Sequence, residues 1–121
     1  MTQEFPQKMH VDEGVLRTAD GAEVNLWGCN FQTNLYWVYK FRMEHLGLPM
    51  TLETMQAMCD DGFEDMKRMR CDVIRCHLTP ADFTDAEGNL VETIWLDMLG
   101  YLVGKAREHG IYVYITSVSY T

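Results

Sequence analysis

Segments whose apolar residues recur with a helical period alternate along the chain with short runs that are almost entirely apolar. Over residues 54–70 the apolar positions keep roughly helical spacing and charged residues fill the positions between them, which predicts an amphipathic helix. A second helix is predicted over residues 93–109, because apolar positions again follow a helical period, basic residues come late and Gly110 supplies a C-terminal stop. The apolar positions of the first helix are Met55, Met58, Phe63, Met66 and Met69.

Three short apolar runs predict buried strands. They occupy residues 26–31, 72–78 and 111–115, and the last of them is almost entirely β-branched or aromatic. Gly28 lies inside the first run, where a missing side chain permits close approach of another backbone. Nearly continuous apolar strands that alternate with helices are typical of a parallel sheet joined by right-handed crossovers. An α/β fold is therefore predicted.

The N-terminal part predicts a different element. Residues 14–17 and 23–26 flank an Asp20-Gly21 step, which is a strong signal for a β-hairpin. We expect an arm over residues 1–12, a hairpin over 13–26, and three strand-helix units over 26–121. Residues 32–50 are aromatic-rich and irregular, which predicts a long loop with one short helix. Because no repeat or linker interrupts the chain, residues 1–121 are interpreted as a single domain or part of one.

Composition narrows the classes of function. Of the 121 residues, 47% are hydrophobic, which supports one core, and the formal charge of −8 argues against a nucleic-acid surface. No apolar run reaches the ~20 residues that span a bilayer. The first residues lack the apolar stretch of a secretory signal, so we expect a cytoplasmic protein as written, or a secreted one if a signal was removed.

The cysteines and the acidic loop do not indicate a metal or a cofactor. Cys29, Cys59, Cys71 and Cys76 are irregularly spaced without a CxxC pair, and buried free thiols are expected. Cys76 and His77 are neighbours in a strand, so their side chains should point to opposite faces. The loop after the second strand carries acidic residues but lacks the alternating ligands of a calcium-binding EF-hand. These are Asp82, Asp85 and Glu87.

Five short segments together resemble a known family. They are GVLRTADG (14–21), LWGCNF (26–31), DMKRM (65–69), DVIR (72–75) and GIYV (110–113). In this order they resemble the N-terminal part of the cellulase-like glycoside hydrolases, the retaining (β/α)8-barrel glycosidases that include family 5. The resemblance implies that the chain is the N-terminal portion of a TIM (β/α)8 barrel, about half of the ~250 residues such a barrel needs. The barrel would be incomplete in this chain.

The resemblance also implies a sugar-binding site at the ends of the strands. Arg75 matches the family's arginine, which lies beside the catalytic nucleophile and holds it ionised. His77, two residues later on the same face, is a candidate ligand for sugar hydroxyls, with a structural role as the alternative. Asn30 and Phe31 match the floor of the site, and Tyr36 and Trp37 are either stacking platforms or packing residues of the loop. Ser119 and Tyr120 occupy the end of the third strand, where many family members carry a histidine.

Two departures separate this chain from family 5 itself. The family has glycine where the first long helix ends, whereas this chain has Arg70, which predicts a different turn. The third strand continues into residues 116–120 without the histidine, which predicts a different subsite. A divergent relative is therefore the better interpretation.

Catalysis by the retaining mechanism needs two carboxylates about 5 Å apart. In the family they come from the fourth and seventh strands, which lie outside these residues. Asp82, Asp85, Glu87 and Glu92 share one predicted loop and have no spacing that would make them a protected pair. We therefore expect a glycoside hydrolase acting on a β-linked oligo- or polysaccharide, of which this chain is the N-terminal part and is inactive alone. No cofactor is expected.

Two other functions remain open. The first is a non-catalytic protein that binds saccharides or assembles with a complementary chain, because an open three-stranded sheet exposes edges that favour self-association. The second is a small α/β domain with an unrelated role. It is weaker, because a nucleotide-binding fold should carry a glycine-rich loop after its first strand, and residues 28–31 do not form one.

Overall fold

The structure, a computed structural model, describes residues 5–31 and 36–117, and of residues 36–39 only the backbone. Within these residues it contains five strands, three helices and one short 3₁₀ helix. The strands are β1 (Met9–Asp12), β2 (Val15–Thr18), β3 (Gly28–Asn30), β4 (Val73–Leu78) and β5 (Tyr112–Ser117). The helices are α1 (Tyr36–Leu46), α2 (Leu52–Arg68) and α3 (Ile94–Glu108), and the 3₁₀ helix is Pro80–Asp82.

The prediction of the N-terminal portion of a (β/α)8 barrel is wrong. The described strands form two small sheets, an antiparallel pair β1-β2 and a parallel sheet in the order β3-β4-β5. The buried residues Ile74 and Cys76 of β4 belong to the same core as the helices, whereas Arg75 between them is exposed. The parallel sheet is therefore open, with helices on one face.

The barrel prediction is wrong because local sequence patterns specify individual helices and strands but not whether a sheet closes. Helical and strand periods identified α2, β4, α3 and β5 to within two or three residues, and the three strands are parallel. Closure of a sheet depends instead on the number, tilt and stagger of its strands, which a local pattern does not encode. The short motifs that resemble a barrel family are compatible with an open sheet.

The hairpin also differs from the prediction. β2 pairs antiparallel with β1, which precedes it, in the register Met9↔Thr18 to Asp12↔Val15. The connecting turn is Glu13-Gly14, and both residues have positive φ, 49° and 79°, as the two-residue turns of hairpins require. The Asp20-Gly21 step also forms a turn, and a shorter pairing follows it: Arg17 and Glu23 form an antiparallel bridge, flanked by the hydrogen bonds of the Thr18 N–H to the Ala22 carbonyl and of the Val24 N–H to the Leu16 carbonyl.

Helix α2 begins and ends with recognisable caps. At its start the Thr51 hydroxyl accepts a hydrogen bond from the Thr54 backbone N–H at 3.2 Å. At its end Arg70 adopts a φ of 57°, and the Cys71 N–H donates to the Met66 carbonyl at 3.0 Å. This is a Schellman motif with arginine in the left-handed position that glycine normally occupies. The turn expected of a glycine is therefore made by Arg70, and the predicted different turn is wrong.

Phe63 is central to the core between the helices and the sheet. It is fully buried, its ring meets Phe31 edge-on at a centroid distance of 5.3 Å, and it stacks on His109 at 5.7 Å. Gly62, beside it, makes room for Phe31, because a Cβ there would lie 2.4 Å from the Phe31 ring. The end of β3, α2 and the end of α3 are thus joined through the two ring contacts of Phe63.

Alkaline pH is expected to destabilise this core through Cys76. The side chain is fully buried, and burial raises the pKa of its thiol from 9.0 to about 11. The Cys76 thiol ionises at a lower pH in the unfolded chain than in the folded one. Its contribution to the free energy of unfolding is therefore complete below pH 9.0 and is lost as the pH rises towards about 11. The loss should reach roughly 3 kcal/mol.

Denaturant unfolding over this pH range measures the effect. Cys76→Ala removes the titrating group, so the dependence of its unfolding free energy on pH should be flatter than in the wild type. The comparison uses slopes rather than absolute values, since the substitution also leaves a small cavity. Equal slopes would show that Cys76 is not responsible.

Candidate functional site

The exposed face of the parallel sheet carries the candidate site. The strand register places Asn30 of β3, Arg75 of β4 and Tyr114 of β5 side by side. His77 and Thr116 form another pair towards the carboxyl ends of the strands. Because residues two apart in a strand share a face, Arg75 and His77 project from the same side of β4. Alternation and register together assemble these five residues.

Arg75 is held by two neighbours. Its Nη1 atom donates to His77 Nε2 at 2.8 Å and to Asn30 Oδ1 at 3.4 Å. A guanidinium only donates hydrogen bonds, so His77 Nε2 accepts, and in the neutral imidazole the proton is on Nδ1. Nδ1 lies 2.9 Å from Thr116 Oγ1 and donates to it. His77 is thereby fixed in one tautomer and orients Arg75.

The hydrogen-bonding capacity of Arg75 is only partly used. Both contacts involve Nη1, and a guanidinium has five N–H donors in a planar fork. Among the described residues, no carboxylate oxygen lies within 4.0 Å of this guanidinium. Because Arg75 is exposed, its remaining donors are accessible to a ligand. They suit an oxygen-rich ligand or a carboxylate.

A cavity of about 460 Å³ lies against this face. Besides Arg75, Asn30 and Tyr114, its lining includes Leu26 and Val73. Tyr114 is 61% exposed and offers an aromatic surface beside the guanidinium. An apolar lining with a few convergent polar groups is the usual composition of a small-molecule site.

Of the other predicted site residues, only Phe31 can be placed, and it does not join this group. Phe31 points into the core, where it packs against Phe63, although its backbone N–H still pairs with the Arg75 carbonyl at 2.9 Å. Tyr36 and Trp37 form the first turn of α1, and their side chains are outside the described part of the structure. Ser119 and Tyr120 lie outside the described residues altogether.

Hydrogen bonds within the acidic loop after β4 hold the loop in its conformation. Asp85 Oδ1 accepts hydrogen bonds from the backbone N–H groups of Asn89 at 2.8 Å and Glu87 at 3.0 Å, and these bonds lower the pKa of Asp85. Burial raises the pKa of Asp82. Glu87 and Glu92 are exposed. The described contacts of Asp85 therefore fit the loop-ordering role that the sequence suggested.

The described residues form neither a cluster of metal ligands nor a membrane-spanning helix. Within residues 5–31 and 36–117, no three side chains of histidine, cysteine, aspartate or glutamate converge as metal ligands. In the same residues no helix combines the length and apolar character needed to cross a bilayer.

Tyr114 and Thr116 were missed as members of the site. In the sequence Tyr114 belongs to an apolar run and suggests a core residue. The signal that could have identified them is the alternation of side chains along β5. Once Arg75 is placed opposite Tyr114, every second residue of β5 lies on the same face as Arg75. That register could not be derived without the paired strands.

Comparisons with known proteins found no relative of this chain. No family model, curated protein or solved structure matches this chain, so the function has to be argued from the site itself.

Proposed function

We propose that this chain belongs to a glycoside hydrolase that cleaves a β-linked oligo- or polysaccharide with retention, and that its exposed sheet face binds the sugar. One observation carries the proposal: Arg75, oriented by Asn30 and His77, opens beside Tyr114 onto a cavity of about 460 Å³. The proposal does not depend on a closed barrel.

The chemistry of the face suits a saccharide. Sugar hydroxyls accept hydrogen bonds from guanidinium and amide N–H groups, and Arg75 and Asn30 present both kinds of donor on one rung of the sheet. The exposed Tyr114 ring offers a flat apolar surface for the C–H face of a pyranose. A ligand with apolar faces and a polar rim would use all three groups.

Arg75 would have a second role during catalysis. Its free donors would hold a nearby carboxylate ionised, because an adjacent positive charge favours the charged form. The described residues contribute no such carboxylate, since none reaches Arg75 within 4.0 Å. These 121 residues are accordingly proposed to bind and orient the sugar, and to be inactive by themselves.

The alternative is a non-catalytic protein that binds saccharides or assembles with further chains. It is favoured by the outer strand β5, where Tyr114 is 61% exposed and Ile115 is 48% exposed on opposite faces. An edge strand with exposed apolar residues is a common site of pairing between chains. Self-association would show as a concentration-dependent sedimentation coefficient.

Nuclear magnetic resonance titrations test sugar binding directly. Isotope-labelled protein is titrated with β-linked gluco-, manno- and xylo-oligosaccharides, and the side-chain signals of Arg75, Asn30 and His77 are followed. At least one series should shift these signals in a saturable manner. Arg75→Ala should weaken binding about tenfold or more, since a hydrogen bond to a charged group contributes roughly 1.5–3 kcal/mol.

Arg107→Ala is the matched control, because Arg107 is exposed near the end of α3 and away from this face. It should leave binding unchanged. If no glycan shifts the signals, or if Arg75→Ala binds as well as the wild type, the proposed site is wrong. A reducing-sugar assay separates the two functions: binding without hydrolysis, in any longer protein that contains this chain, favours the non-catalytic alternative.

A further inference from the structure

Two thiols face each other where β3 meets the end of α2. The Sγ atoms of Cys29 and Cys71 are 3.9 Å apart, although the residues are separated by 42 positions in the chain. Cys71 is buried, and Cys29 is half-buried in the middle of the short strand β3. Both are free thiols, with the Cys71 thiol donating a weak hydrogen bond to the sulfur of Cys29.

The surrounding backbone holds the two thiols close together. The Trp27 carbonyl accepts from the Asp72 N–H at 2.7 Å, and the Trp27 indole N–H donates to the Met69 carbonyl at 3.3 Å. The Trp27 N–H in turn donates to the Asp72 carboxylate at 3.3 Å. These contacts join the segment before Cys29 to the residues on both sides of Cys71. The proximity therefore results from several bonds and not from one side-chain rotamer.

We propose that Cys29 and Cys71 form a site of reversible oxidation, at which a disulfide covalently links β3 to the turn between α2 and β4. A disulfide would require the sulfurs to approach by about a further 2 Å, and the proposal assigns this movement to rotation of the two side chains. This modification is independent of the proposed sugar site. It would fasten the strand that presents Asn30 to Arg75.

The reaction balances with a small disulfide, such as oxidised glutathione, as the oxidant. The Cys29 thiolate attacks one glutathione sulfur, the S–S bond of glutathione breaks, and one glutathione leaves as a thiolate that takes up a proton. Cys71 then loses its proton and attacks the Cys29 sulfur, and the second glutathione leaves. Cys29 is oxidised together with Cys71, and one glutathione disulfide is reduced to two thiols.

The order of attack follows from exposure. Cys29 is the more accessible sulfur, and Cys71 is buried behind it. Burial raises the pKa of Cys29. Since the thiolate is the attacking species, the exchange should be slow at neutral pH and faster as the pH rises. Cys59 and Cys76 are completely buried and serve as internal references.

The test is oxidation of the folded protein with a glutathione redox buffer, followed by acid quenching, alkylation and peptide mapping by mass spectrometry. The expected product has lost two hydrogen atoms and yields one peptide pair linked through Cys29 and Cys71. Dithiothreitol should restore the reduced mass. Circular dichroism before and after oxidation should show that the protein stays folded.

Cys29→Ser and Cys71→Ser serve as variants, each of which should prevent the internal link. In Cys71→Ser, Cys29 should instead accumulate as the mixed disulfide with glutathione, which identifies it as the first sulfur to react. The proposal is overturned by a wild-type protein that stays fully reduced, that stops at a mixed disulfide on Cys29, or that links these cysteines only in denaturant. Because mapping of the wild type decides the matter, poor folding of a variant leaves the test intact.

Discussion

Replacing Gly28 with alanine is expected to lower the free energy of unfolding by roughly 3 kcal/mol and to separate β3 from β4. A Cβ at this position would lie 1.9 Å from the Val73 carbonyl oxygen and 2.6 Å from its Cγ1 atom. The first of these contacts is with backbone, which cannot rotate away as a side chain can. Relief therefore requires the strands to move apart, and the pairing of Gly28 with Val73 would be lost.

Denaturant unfolding measures the loss, and the nuclear magnetic resonance signals of Asn30 and Arg75 report whether their contact survives. Gly104→Ala is the matched control, since Gly104 is exposed in α3 and an added Cβ would meet no atom within 4 Å. That control should gain about 0.5–1 kcal/mol, because glycine is a poor residue inside a helix. A Gly28→Ala protein as stable as the wild type would show that β3 does not lie this close to β4.

Replacing Phe63 with alanine is expected to cost about 3–5 kcal/mol, the usual range for removing a buried aromatic ring. Phe63 is fully buried and contacts both the Phe31 ring and the His109 imidazole. The cavity cannot collapse easily, because these two rings come from different elements. A domain with a few kcal/mol of stability would be largely unfolded.

Thermal and denaturant unfolding of Phe63→Ala provide the measurement, and Phe63→Leu, which retains most of the apolar volume, keeps the variant within a measurable range. Phe41→Ala is the control, since Phe41 is 66% exposed in α1 and its removal should change stability by less than about 0.5 kcal/mol. If Phe63→Ala and Phe41→Ala behaved alike, Phe63 would not hold the core together.

These two substitutions bear on the candidate site as well as on stability. Gly28 precedes Cys29 and Asn30, and Phe63 holds Phe31 on the opposite side of the same strand. β3 is only three residues long, so its position depends on contacts at both ends. Loss of either contact should release Asn30 from Arg75. The sugar-binding proposal therefore predicts weaker glycan binding in both variants.

The sequence predicted the helices better than the connections. α2 and α3 follow helical periods that persist over four turns, and Gly110 marks an end of α3 that local hydrogen bonds explain. The predicted hairpin is present only in part: Arg17 and Glu23 pair across the Asp20-Gly21 turn, but the longer pairing of β2 is with β1. Asp20-Gly21 is the stronger turn signal, but Glu13-Gly14 makes the tighter connection, because Glu13 adopts a positive φ that its residue type does not favour.

The candidate site was partly predicted. Arg75, His77 and Asn30 lie together as the family resemblance implied, whereas Phe31 faces the core, away from that face. Asn30 and Phe31 differ because neighbouring residues at the end of a strand point to opposite sides of the sheet. Sequence reasoning grouped Asn30 and Phe31 by their position in the chain. Packing against Phe63 separated them.

Which segments are helical and which are extended follows from the residue pattern alone, since those preferences arise from contacts within a few residues. The pattern also determined that alternate residues of β4 are buried and exposed. Tertiary structure alone decided that the sheet stays open, that β1 pairs with β2, and that Tyr114 lies beside Arg75. Each of these depends on the register between segments distant in the chain, and register is decided by how side chains from several elements pack together.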